Sequence, residues 1–216
     1  MPFDAERPET KVHLISGEEW SMHETLGLEH SVSLTKIGEL SPEDLQSLQA
    51  IELPTEESGW PLTCSEEDRA LAREFGVDAD SMAVDYNGSW IVEFARQQVA
   101  LEFSNVIYDA FPRLLEFQTE PGVFRTYFAH LHSDFGMGPT RGQVNLVLEN
   151  KAGHRLVSID AMGNRHVLAP EAGDFIFLDV FQDHAVIPNV DQGEIFAKEH
   201  PLTAAFVNLV DFDISR

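Results

Sequence analysis

The chain of 216 residues contains one cysteine, Cys64, so it can form neither an internal disulfide nor a thiolate metal cluster of its own. No stretch approaches the roughly eighteen consecutive apolar residues that a membrane span needs, so no transmembrane helix is expected. Residues 1–6 lack a basic segment and an apolar segment. No signal peptide is expected there, and the expected location is the cytoplasm. Basic residues are scarce: 14 Lys and Arg stand against 37 Asp and Glu, a net charge of −23. The excess is heaviest in residues 1–60, with 13 acidic and 3 basic side chains. Such a polyanion repels phosphate backbones, which argues against a nucleic-acid partner. It favours a cationic substrate, although the same charge also serves solubility or a saline cytoplasm. A Gly-rich phosphate loop, a Ser/His/Asp pattern and internal repeats are all missing.

What is present suffices for a substantial core: 43% hydrophobic residues, fifteen Phe among them. The pattern divides the chain in two. Residues 1–113 read as mainly helical, packing on a β-rich second half. Ser41-Pro42-Glu43-Asp44 and Ser65-Glu66-Glu67-Asp68 are helix starts with Ser as N-cap and acidic first turns, and the second helix should end near Gly76. Trp90, Ile91, Phe94, Val99, Phe103 and Ile107 fall on one apolar stripe, which predicts a long helix from Ser89 to about Ala110. Residues 114–216 turn to short β runs at Leu114–Thr119, Val123–His132, Gln143–Glu149, Arg155–Asp160, Arg165–Ala169, Asp174–Asp179, Ala185–Val190 and Thr203–Phe212. Met162-Gly163-Asn164 marks a hairpin. Eight short strands with hairpin connections predict an antiparallel sandwich or barrel, hence an α+β chain forming one compact domain overall.

Within the β half, His132-Ser133-Asp134 and His184 stand out. Two imidazoles and a carboxylate can fill one triangular face of an octahedral Fe(II), leaving three positions open. If Val123–His132 is a strand, alternation puts Phe124, Thr126, Phe128, His130 and His132 on one face, with Asp134 following through a bend that Gly136 and Gly138 permit. His184 comes after Gly173-Asp174, a turn into a strand, and would arrive from the facing sheet.

With these residues in view, the stretch from about 114 to 212 resembles the double-stranded β-helix (a jelly-roll, cupin-like core) of the Fe(II)/2-oxoglutarate-dependent oxygenases. It carries their H-x-D…H triad as His132, Asp134 and His184, and their Gly-Asp turn as Gly173-Asp174. The resemblance implies bound Fe(II), 2-oxoglutarate chelated to it, and O₂ as the second co-substrate. The implied reaction releases succinate and CO₂ and oxidises an unactivated C–H bond of a small molecule, such as an amino acid or natural-product intermediate. Halogenases of this class replace the carboxylate by Gly or Ala, so Asp134 implies hydroxylation, desaturation or cyclisation without halide transfer.

The family usually places Arg or Lys near its last strand to pair with the far carboxylate of 2-oxoglutarate. The run Thr203–Leu209 has no base. Lys198, fourteen residues after His184, is the nearest candidate, and Arg141 at the start of the third strand is the alternative, ahead of Arg155 and Arg165. Arg125, so near the triad, falls on the opposite strand face. Asn145, with Gln143, could hydrogen-bond a carboxylate. His130 could touch co-substrate, or replace His132 in a metal-binding cupin, though no Glu stands at the interval such cupins use. A cupin isomerase or binding protein, and a protein side-chain hydroxylase, stay open beside the small-molecule oxygenase.

Overall fold

The computed structural model describes residues 11–13, 19–29, 32–53, 55–61, 65–79, 89–95, 97–133 and 140–210. Strands β1 (Lys11–His13) and β2 (Glu19–Ser21) form a small ribbon leading into helix α1 (Met22–Leu26). Strand β3 (Leu34–Glu39) leads to helix α2 (Pro42–Gln49), where the Ser41 hydroxyl accepts the Asp44 amide at 3.2 Å as the sequence predicts. Strand β4 (Thr55–Pro61) precedes helix α3 (Glu66–Glu74). That helix opens with a full capping box between Ser65 and Asp68, and Gly76, at φ +74°, lies just past its end.

Residues 89–110 are not one helix. Ser89–Ala95 form strand β5, and only Gln97–Ala110 form helix α4. The run Trp-Ile-Val-Glu-Phe is aromatic and β-branched as well as helically spaced, and pairing with β4 on one side settles it as strand. A 3-10 helix, Pro112–Glu116, occupies the first half of the first expected strand, because Pro112 opens a helical turn and offers no ladder amide. The expected strand Val123–His132 is two strands, β6 (Gln118–Thr126) and β7 (Ala129–His132). Then come β8 (Thr140–Glu149), β9 (Arg155–Ile159), β10 (Arg165–Leu168), β11 (Asp174–Leu178), β12 (Asp183–Ile187), helix α5 (Glu194–Glu199) and β13 (Leu202–Val210).

Two main antiparallel sheets result, a seven-stranded one in the order β3-β11-β8-β13-β6-β5-β4 and a four-stranded one in the order β10-β9-β12-β7. The fold is α+β with a jelly-roll core. The "mainly helical" expectation for residues 1–113 is corrected: that segment supplies β3, β4 and β5 to the large sheet.

Three apolar layers hold the sheets. On the outer face of the large sheet, Ala100, Phe103 and Ile107 of α4 pack on Val144, Leu146, Phe175, Phe177, Ala205 and Val207. On the outer face of the small sheet, Leu71 and Ala72 of α3 cover Val157, Ala185 and Ile187. Between the sheets, Val147, Ile176, Leu178 and Leu202 meet Ala129, Leu156 and Val186. Strands buried on both faces, such as β11 and β13, therefore read as unbroken apolar runs.

Gly122 is required by this packing. It is the register partner of Phe206, and a β-carbon there would overlap the Phe206 ring. We expect Gly122→Ala to destabilise the protein by about 1–3 kcal/mol, as overpacking does, and Phe206→Leu to recover part of the loss in the double variant. Denaturant midpoints of the four proteins check this; additive losses would refute the coupling.

Candidate metal centre

Strands β7 and β12 are antiparallel neighbours, and their register sets His132 opposite His184. The imidazole centroids lie 4.3 Å apart with the planes at 50°. Both rings are oriented by the same device, a bond to the carbonyl two residues earlier. His132 Nδ1 donates to the His130 carbonyl at 2.7 Å, and His184 Nδ1 to the Gln182 carbonyl at 2.9 Å. A carbonyl oxygen only accepts, so Nδ1 carries a proton in both rings, and in His184, which burial keeps neutral, the lone pair is on Nε2. This is the tautomer that ligates a metal, with its second nitrogen anchored to the backbone.

The spacing fits one shared ion. Bonds of about 2.1 Å put each ring centroid roughly 3.2 Å from the metal, so two ligands at right angles would hold their centroids about 4.5 Å apart. The observed separation agrees. Burial, followed by the charge His132 would carry, pushes the His184 pKa from an ordinary 6.5 down to about 3, outweighing the Gln182 bond. The ring therefore stays neutral, as a ligand must be.

Asp134, the third expected ligand, lies outside the described residues. Among the described residues no group of three or more His, Cys, Asp or Glu is set to hold a metal, so the third ligand rests on sequence position. His130 lies beside the pair, its centroid 5.3 Å from that of His132, and burial then His132 lower its pKa while Asp68 opposes them. Gln143 Nε2 donates to Asn208 Oδ1 at 2.8 Å. Asn145, its neighbour on the same face of β8, is buried with neither amide atom hydrogen-bonded to a described residue. Arg141 is a residue of β8 whose side chain lies outside what the structure describes.

Lys198, the nearest expected anchor, is a residue of α5. Its Nζ pairs with Glu194 Oε1 at 3.1 Å along α5. The His200 carbonyl at the end of α5 accepts from His154 Nε2 at 2.9 Å, and His154 adjoins Arg155, the partner of Ile187. Helix α5 thus sits at the Ile187 end of β12, whereas His184 lies at the other. Arg155 stacks over Phe75, Arg165 pairs with Glu74, and Arg125 bonds Thr203, all outside the barrel interior.

One contributor was missed in the sequence. Asp68, buried at the head of α3, accepts the Ser65 amide and hydroxyl at 2.7 Å through Oδ2, and the Leu131 amide at 2.6 Å through Oδ1. Leu131 stands between His130 and His132 on the edge strand of its sheet. A helix cap therefore also secures the strand that carries His132. The capping box signalled Asp68 in the sequence, but nothing local signalled its second partner 63 residues away.

The architecture has a counterpart among solved structures. An oxidoreductase of the 2OG-Fe(II) oxygenase family from Burkholderia pseudomallei matches with a TM-score of 0.56, over 89% of this chain and 92% of that one, at 14% identity. The fold is that of a 2OG-Fe(II) oxygenase. A prolyl-4-hydroxylase from Pseudomonas putida is similar at a TM-score of 0.42 and 14% identity, over 76% of this chain and 98% of that one. The non-heme alpha ketoglutarate dependent epimerase SnoN from nogalamycin biosynthesis is similar at 0.41 and 12%, over 79% and 84%. No protein-family model matches the chain, and no curated protein matches it. No helix among the described residues is long and apolar enough to cross a membrane.

This geometry has two measurable outcomes. The His184 pKa is lower in the folded than in the unfolded state, so protonation favours unfolding. The metal-free protein should hold this stability above about pH 6.5 and lose it as the pH falls toward 3, on the order of 2–3 kcal/mol by about pH 4.5. Urea melts across that range should show the slope, and His184→Gln should flatten it; an unchanged slope in the variant would refute the assignment. Separately, Ser65→Ala removes part of the cap alone, at about 0.5–2 kcal/mol. Asp68→Ala also frees β7, so we expect a further loss of about 1.5–3 kcal/mol and weaker metal binding in that variant only. Calorimetric titration with Co(II) separates the two; equal metal affinities would sink the link.

Proposed function

We propose that this protein is an Fe(II)- and 2-oxoglutarate-dependent oxygenase acting on an unactivated C–H bond of a small molecule, with succinate and CO₂ as co-products. The observation that carries the reading is the histidine pair: two imidazoles, opposite one another across a strand pair, each with Nδ1 anchored to a backbone carbonyl. His132 and His184 would hold the iron through Nε2, and Asp134 is proposed as the third ligand. Bound iron supplies the activation of O₂ by electrons from the oxo acid.

The chain's own part is to orient and to exclude water. The carbonyls of His130 and Gln182 hold the rings, and Leu156 and Val186 line the interior between the sheets. A dry interior keeps the oxidising step from being spent on solvent. The substrate is proposed to be a small molecule. The net charge of −23 supports a cationic one, because field lines from an acidic surface draw cations toward a cleft. With Asp134 filling the third position, the proposed outcome is hydroxylation or a related oxidation.

An anaerobic titration tests this directly. We expect about one equivalent of Fe(II), a weak visible charge-transfer band on adding 2-oxoglutarate, and iron-dependent succinate once O₂ is admitted. His184→Ala should abolish the band and lower turnover by at least about a hundredfold. A second reading, a metal-binding cupin isomerase, is favoured by the third imidazole of His130 beside the pair. Metal binding without any succinate would decide for it.

A further inference from the structure

Three chain segments meet at the His184 end of the small sheet and enclose a cleft of about 310 Å³. The stretch before β3 contributes Ser33, the β9–β10 turn Asp160 and Met162, and the β11–β12 turn Asp179 and Gln182. Ile159, the last residue of β9, pairs with Asp183, the neighbour of His184. The cleft therefore lies at the end of the barrel that carries the histidine pair. Gln182 belongs to both places, lining the cleft and accepting from His184 Nδ1 through its carbonyl.

Its wall is anionic and holds one polar group without a bond. Asp160 Oδ1 accepts the Met162 and Asn164 amides at 2.9 and 2.8 Å. Asp160 Oδ2 accepts Asn164 Nδ2 at 2.9 Å and His166 Nε2 at 3.1 Å. Burial opposes ionisation there, yet the Asn164 and His166 bonds hold the carboxyl at about 2. Asp179 accepts the Phe181 amide at 3.0 Å, and its other oxygen lies 3.5 Å from Gln182 Nε2. No Lys or Arg is among the described residues that line the cleft. Ser33 is 2% exposed, and its Oγ has no hydrogen-bond partner. Its carbonyl accepts the Asp179 amide at 2.8 Å, which fastens the two residues together. Buried hydroxyls are rarely left unpaired, because the water they gave up is not replaced, so Ser33 marks a place for a polar guest.

Two carboxylates and a spare hydroxyl call for a cation. A hard metal ion suits them poorly, since calcium takes six to eight oxygen ligands. Asp160 already accepts from four donors, about as many as a carboxylate has lone-pair sites, so it contributes field more than bonds. An ammonium needs fewer acceptors, and it can donate to Asp179 and Ser33 together. Met162, 84% exposed, adds a flexible thioether wall for the carbon chain behind the charge. We propose that the cleft between Ser33, Asp160 and Asp179 receives the ammonium group of an amine-bearing substrate, beside the histidine pair. That the guest is a substrate rests on the oxygenase reading above.

The probe is n-butylammonium, with butanol and calcium chloride for comparison, followed by NMR of protein labelled with ¹³C-methyl methionine. Met162 lines the cleft, and Met162→Leu identifies its signal among the five methionines. We expect n-butylammonium to shift that signal saturably and butanol, alike in shape but uncharged, to leave it in place. Asp179→Asn should weaken the amine by about fivefold or more, and Ser33→Ala by about threefold or more. Ser33→Ala removes a hydroxyl that bonds nothing in the empty protein, so it decides if Asp179→Asn does not fold. On protein loaded with Fe(II) and 2-oxoglutarate without O₂, the amine should also perturb the visible band. An equal response to butanol, tighter binding of calcium than of the amine, or unchanged affinity in folded Ser33→Ala would each overturn the proposal. A band that forms but ignores the bound amine would overturn the assignment to substrate. If 2-oxoglutarate gives no band at all, the oxygenase reading falls, and the Met162 shift then supports the ammonium site by itself.

Discussion

The pairing of β7 with β12 is the contact on which the candidate site depends. It is a short ladder, four residues against five, with β7 at the sheet edge. On one side β12 fixes its register. On the other, the Asp68 carboxylate accepts the Leu131 amide that an edge strand would otherwise present to solvent. Each ligand ring is then oriented by a carbonyl of its own strand. Residues two apart in a strand share a face about 6.6 Å apart, close enough for an imidazole to lean back on the earlier carbonyl. The geometry of the histidine pair is thus carried mainly by backbone and set by sheet formation.

The two histidines stood out through local signals, but His184, expected from the facing sheet, stands on β12 beside β7 in the same sheet. His132 and His184 stand in short apolar strands, and the Gly173 turn before β11, at φ +99°, is one that glycine tolerates and L side chains resist. The parts that were not legible depend on long-range pairing. Trp90, Ile91 and Phe94 satisfy a helical stripe and a strand composition equally, and the choice is made by β4 and β6. Alternation from Phe124 to His132 assumed one strand, whereas Tyr127 and Phe128 carry the chain from the large sheet to the small one. Alternation survives within β7 for His130 and His132, the segment where it mattered.

Charge bears on how the interior can be used. With 37 acidic side chains against 14 basic ones, cations are the scarce resource of this chain. Several described ones are engaged at the surface: Arg73 with Glu66, Lys151 with Glu149, Arg165 with Glu74. Such exposed pairs contribute little to stability individually, yet they compete for the same side chains that a buried anion would need. The unpaired polar groups described in the interior are amides and hydroxyls.

Burial keeps the His184 ring neutral, and it makes any charge placed beside that ring costly. A buried cation beside His132 and His184 would disfavour any protonation of those rings, but it would also repel the metal and would need an anion whenever the site is empty. Asn145 and Ser158, buried without a partner among the described residues, are uncharged, and a neutral polar group left so costs far less than an unpaired ammonium.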